Sequence, residues 1–173
     1  KKDLNTENLE ALAKGIVNLE KHIENVQKFG VPCVVTLNSF VTDTEAEYEF
    51  IKNFCEERGC EFALSEVWAK GGEGGIALAN EVVRLCEEEN DFRFCYDSEL
   101  SIKEKLEAIA TKVYHADGVQ LVGPAVKQLK QLEELGFGNM PICMAKTQYS
   151  FSDDQTLLGA PRGFTVAIRN LKV

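Results

Sequence analysis

Glu66-Val67-Trp68-Ala69-Lys70-Gly71-Gly72-Glu73-Gly74-Gly75 is the stretch that decides the fold. The residues at 60–67 before it read as a strand, which places the only tryptophan, Trp68, at a strand end. Four glycines in five positions then form a loop, and a helix opens near Ile76 and carries Val82, Val83, Leu85 and Cys86. Glycines let a backbone approach a ligand and adopt positive φ, and a helix N-terminus offers free N–H groups. A large aromatic beside that opening can stack on a planar ligand. The same residues also fit a plainer role, with Trp68 in the core and the glycines only making the turn.

Outward from this stretch, helical and strand patterns alternate. Leu9, Leu12, Ile16, Leu19, Ile23 and Val26 recur at helical spacing and predict one apolar face on a helix ending near Gly30. Residues 31–37 form a nearly continuous apolar run, as in a buried parallel strand. Thr44 and Glu47 have capping-box spacing, Phe50, Ile51, Phe54 and Cys55 supply an apolar face, and Gly59 stops that helix. Further on, 92–96 reads as a short strand, and Ser101 with Glu104 opens a helix whose stripe is Ile102, Leu106, Ile109 and Val113. Residues 119–122 read as a strand, Pro124 starts another helix, and 141–145 and 164–171 give two more strands. The pattern predicts an α/β fold of alternating helices and mostly parallel strands in three layers. Glu87-Glu88-Glu89-Asn90-Asp91 interrupts it, which divides the chain into regions 1–90 and 91–173.

Composition narrows the function classes. At 173 residues and 45% hydrophobic, the chain can bury a sizeable core. No apolar run approaches the roughly 18 residues of a membrane helix, and the first residues show no apolar signal region. A net charge of −9 argues against nucleic acid, whose phosphates need clustered Lys and Arg. Acidic residues such as Glu45, Glu49 and Glu57 are spread over helical faces and read as solvating groups. None of the six cysteines forms a C-x-x-C pair, and His22 and His115 complete no zinc pattern. Most of these cysteines read as small buried hydrophobes of a reducing cytosol.

Three segments are candidates for chemistry. Asn38-Ser39-Phe40-Val41-Thr42-Asp43-Thr44 leaves the end of an apolar strand, where open α/β sheets bind ligands. Helix capping accounts for Thr42, Asp43 and Thr44, but not for an aromatic at the loop tip, where Phe40 should be half exposed. The Gly loop has no Gly-Lys-Ser/Thr ending and no G-x-G-x-x-G spacing, so its pattern gives weak support for a phosphate cradle. Lys146, in Met144-Ala145-Lys146-Thr147-Gln148-Tyr149-Ser150, fits either an anion contact or a solvated loop charge. No Ser/His/acid or Cys/His constellation can be assembled.

Four segments together resemble formate–tetrahydrofolate ligase, also called formyltetrahydrofolate synthetase. They are 38–47 (Asn-Ser-Phe-Val-Thr-Asp-Thr-Glu-Ala-Glu), 66–75, 141–150 (Pro-Ile-Cys-Met-Ala-Lys-Thr-Gln-Tyr-Ser) and 158–164 (Leu-Gly-Ala-Pro-Arg-Gly-Phe). The order and intervals match, the resemblance covers essentially the whole chain, and the Trp-Ala-Lys-Gly-Gly-Glu-Gly-Gly form looks like the monofunctional bacterial enzyme. Members of that family are several times longer and carry an N-terminal P-loop. The resemblance therefore implies an internal or C-terminal piece of a larger multidomain P-loop ligase, inactive by itself.

It further implies ATP and tetrahydrofolate as substrates, formyl phosphate as intermediate and 10-formyltetrahydrofolate as product. A monovalent cation, a homo-oligomeric parent and a cytoplasmic location also come with it. Phe40 and Trp68 match the two aromatics that hold the pterin, with Lys70, Gly71, Gly72, Gly74 and Gly75 beside them. The competing class is a non-catalytic α/β binding or interaction module.

Overall fold

The structure is a computed structural model that describes residues 5–173. It divides into two compact units, 1–93 and 94–173. In the first, helices α1 (Leu9–Gly15) and α2 (Val17–Lys28) replace the single helix expected from the apolar spacing. Gly15, a poor helix former, sits at the junction, yet Ile16 still donates to Leu12 and accepts from Glu20. Strands β1 (Val34–Asn38) and β2 (Glu61–Ser65) flank α3 (Glu45–Glu56) and pair in parallel, Val34 opposite Glu61 and Asn38 opposite Ser65.

Alternation along β2 sends Phe62 and Leu64 to one face and Glu61, Ala63 and Ser65 to the other. Phe62, Val35 and Leu37 pack with Ile16, Ile23, Ile51 and Cys55 of the helices α1–α3 region. On the opposite face, Arg84 of α5 (Ile76–Cys86) meets Glu61 at 2.9 Å, and Ala63 and Ser65 are buried. Helices thus cover both faces of the β1–β2 pair. The predicted capping box of α3 is complete: Thr44 accepts from the Glu47 N–H, and Glu47 returns to the Thr44 N–H.

In the second unit, α6 (Ile102–Lys112) has the predicted Ser101–Glu104 capping box. Strand β3 (Gly118–Leu121), α7 (Ala125–Glu134) and β4 (Thr165–Ile168) follow, and β3 and β4 pair in parallel. Ile102, Leu106, Ala110, Ala125, Val166 and Ile168 form the core. Lys105 is fully buried, its Nζ donating to the carbonyls of Gly138 at 2.9 Å and Met140 at 3.2 Å. The aliphatic stem fills the core while the ammonium ties down the turn after α7.

Three expected strand features are corrected. Residues 92–96 form no strand, because the Asp91 and Arg93 N–H groups go instead to the carbonyls of Gly30 and Phe29. Gly30 (φ +71°) is needed there, since a Cβ would lie 1.9 Å from the Asp91 carbonyl oxygen. Residues 141–145 join no ladder either; the Ile142 N–H donates to the Tyr96 hydroxyl at 2.8 Å. Finally, β2 stops at Ser65, and Trp68 lies in a one-turn helix, α4 (Val67–Lys70), rather than at a strand end. The Gly loop is itself wound into a 3₁₀ turn, Gly71–Gly75, that feeds α5.

Candidate functional site

The β1–β2 register fixes the site. Asn38 lies opposite Ser65, and the Ser39 N–H donates to the Ser65 carbonyl at 2.9 Å. The loops carrying Phe40 and Trp68 therefore leave the same carboxyl edge of a parallel sheet, from strands about 4.8 Å apart. Phe40 is two residues beyond Asn38, and Trp68 is three beyond Ser65.

Phe40 stands on a closed turn. Its N–H donates to Asp43 Oδ2 at 2.9 Å, and the Asp43 N–H returns to its carbonyl at 3.0 Å. The Ser39 and Tyr48 hydroxyls share a hydrogen bond of 2.6 Å that anchors the turn to α3. The backbone is held while the ring projects, with Phe40 62% exposed. Thr44 does the capping that its residue type suggested, whereas Asp43 accepts from the Phe40 N–H and closes the turn before α3.

Trp68 is 82% exposed, which overturns the core reading of this residue. The turn at Glu66 explains why it projects. The Glu66 N–H donates to the Gly74 carbonyl at 3.0 Å, and the Glu66 carbonyl accepts from Ala69 and Lys70. The chain thus reverses at Glu66, and α4 carries the indole outward. Lys70 Nζ pairs with Glu66 Oε2 at 2.7 Å across one helical turn, so its charge is already engaged. Sequence reasoning missed Glu66, although its spacing of four from Lys70 carries the signal.

The glycines divide by role. A Cβ on Gly74 would lie 2.5 Å from the Glu66 carbonyl carbon and oxygen, so close backbone approach demands glycine there. Gly71 has φ +61°, a backbone need. A Cβ on Gly75 would touch Val67 Cγ2 at 3.1 Å. Gly72 has neither constraint, since its φ is ordinary and nothing lies within 4 Å of a built Cβ. Internal packing does not account for Gly72, which leaves a bare backbone patch open in the turn that follows α4.

Lys146, the third candidate, belongs to the second unit. Its Nζ donates to the carbonyls of Thr147 and Ser150 and lies 4.9 Å from the Tyr114 ring centroid. Burial pushes its pKa below the usual lysine range, and Asp153 opposes that shift. The ammonium closes a loop instead of standing in solvent. In the first unit, burial holds the Cys55 thiol up at about 11, so this cysteine is a packed, unreactive group.

Among the described residues no group of three or more His, Cys, Asp or Glu could hold a metal ion. None of their helices is long and apolar enough to cross a membrane. The arrangement offers planar and backbone surfaces to a ligand, and among the described residues it shows no nucleophile–base pair. The family model described as formate–tetrahydrofolate ligase matches residues 1–173, the whole length of the sequence, and the chain therefore belongs to the formate–tetrahydrofolate ligase family.

Proposed function

We propose that this chain supplies the folate-binding wall of an ATP-dependent ligase that makes 10-formyltetrahydrofolate. In this reading ATP phosphorylates formate to formyl phosphate, releasing ADP. The N10 nitrogen of tetrahydrofolate then attacks the formyl carbon, the carbon–oxygen bond to phosphate breaks, and phosphate leaves with the electron pair. The mixed anhydride turns a poor electrophile into a good one, and the protein's task at the second step is to position N10.

Phe40 and Trp68 hold the pterin between their rings, and the backbone of Gly71, Gly72, Gly74 and Gly75 lets it approach, with Lys70 at the rim. The observation that carries this reading is the pair of large aromatics left exposed on the segments that leave the carboxyl ends of adjacent parallel strands. The phosphate-handling residues lie in another part of the enzyme, so the 173 residues alone are inactive. The complete enzyme is a cytoplasmic homo-oligomer stimulated by a monovalent cation.

The test is the Phe40→Ala variant of the complete enzyme. The folate KM should rise roughly 5- to 150-fold while the KM values for ATP and formate stay unchanged, as loss of one stacking face implies. An unchanged folate KM in a stable variant contradicts the assignment.

A further inference from the structure

The second unit contains a cleft of about 570 Å³ that the folate reading does not use. One wall is the extended segment 141–147, the other is β4 with its continuation to Lys172. Its volume falls within the range of small-molecule sites. Three cations line it, Lys146, Arg169 and Lys172, against one carboxylate, Asp153. Asp153 lies 3.8 Å from Arg169 and also attracts Lys146, and among the described residues no ion pair within 4 Å engages Lys146 or Lys172. An excess of positive charge concentrated in one concavity is notable in a chain of net charge −9.

The backbone adds donors. Phe164 and Ile168 turn their carbonyls toward β3, accepting from Asp117 and Val122. Alternation along an extended chain then aims the N–H groups of Ala167 and Arg169, together with their carbonyls, away from β3, at residues that line the cleft. Among the described residues no backbone hydrogen bond joins 166–172 to 141–147. Leu106, Val166 and Ile168 provide an apolar floor below the polar edge.

We propose that this cleft is a second ligand site, for a small molecule carrying a multiply charged oxyanion, either a phosphate or a carboxylate pair. Arg169 and Lys172 meet the charge, the Ala167 and Arg169 amides orient it, and Lys146 contributes its field from behind the loop that it closes. The site lies wholly within residues 94–173 and stands or falls independently of the pterin assignment.

The test is a titration of the ¹⁵N-labelled chain with inorganic pyrophosphate and, separately, with succinate, followed by amide chemical shifts. Saturable shifts confined to 143–147 and 166–172 are expected with at least one probe, and the probe that binds identifies the anion class. The Arg169→Gln/Lys172→Gln variant should weaken that binding at least tenfold at unchanged melting temperature. Should the double variant fold poorly, Lys172→Gln alone, at an exposed position, should weaken it at least threefold. Shifts that rise linearly and spread over many surface lysines, or binding unchanged in the variants, overturn the proposal.

Discussion

Replacing Trp68 by alanine separates ligand stacking from core packing. With 82% of the residue exposed, the indole has little packing to lose, so stability should change by less than about 0.5 kcal/mol. A pterin lying on one face would cover roughly a third of the ~200 Å² that an indole can bury, worth about 1.6 kcal/mol at ~25 cal/mol per Å². Aromatic stacking adds roughly 0.5–1.5 kcal/mol, so the variant should lose about 2–3 kcal/mol, or on the order of 30- to 150-fold, in folate affinity. Calorimetric titration of the complete enzyme measures this directly, because the variant has lost the indole that would report from the site itself. Trp68→Phe should recover part of the loss, and the ATP and formate KM values should stay put. A folate affinity within twofold of the parent's in a stable Trp68→Ala protein refutes the stacking argument. A large drop in melting temperature with uniformly lower activity refutes the account of Trp68 as a projecting side chain.

Gly74→Ala should destabilise the first unit by roughly 1–3 kcal/mol in chemical denaturation, because its Cβ would overlap the Glu66 backbone. Gly72→Ala should leave stability unchanged and weaken folate binding alone, read by the same two assays. Ser101→Ala removes the acceptor for the Glu104 N–H at the start of α6 and should cost about 1 kcal/mol. Hydrogen bonds from the Asn8 and Thr44 N–H groups hold the Glu47 carboxyl below its ordinary value. Its contribution is therefore present above the unfolded pKa and lost as pH falls through the folded one, so Glu47→Gln should flatten the acid side of the stability profile. The purified chain should release no ADP in a formate-dependent assay, and turnover there would contradict the division of labour proposed above.

What was legible in the sequence was local. The Thr44–Glu47 and Ser101–Glu104 boxes, with the hydrophobic spacing behind them, place α3 and α6 within a residue or two. Apolar runs between such helices gave the parallel strands, because a strand buried on both faces needs no polar alternation. The strands expected at 92–96 and 141–145 failed because a ladder needs a partner edge, and that is a property of the fold rather than of the segment. The helical turn at Trp68 depends on a hydrogen bond between Glu66 and Gly74, which residue patterning does not reveal. Phe40 was expected to project because capping left it unexplained, whereas Trp68 fitted both a core and a surface role until its exposure was known. Lys105 was hidden for another reason: within a helical stripe it resembles any solvated lysine, and only the carbonyls of Gly138 and Met140 make its burial tolerable.

The most direct measurement is a titration of the chain with tetrahydrofolate under anaerobic, reducing conditions, followed by the emission of its single tryptophan. Trp68 reports on its own environment, since no other indole contributes. Saturable quenching is expected, with an affinity that weakens at least fivefold in Phe40→Ala, the loss that follows when one of two stacked faces is removed. Emission that does not respond to tetrahydrofolate, or that responds identically without Phe40, contradicts a pterin held between these two rings.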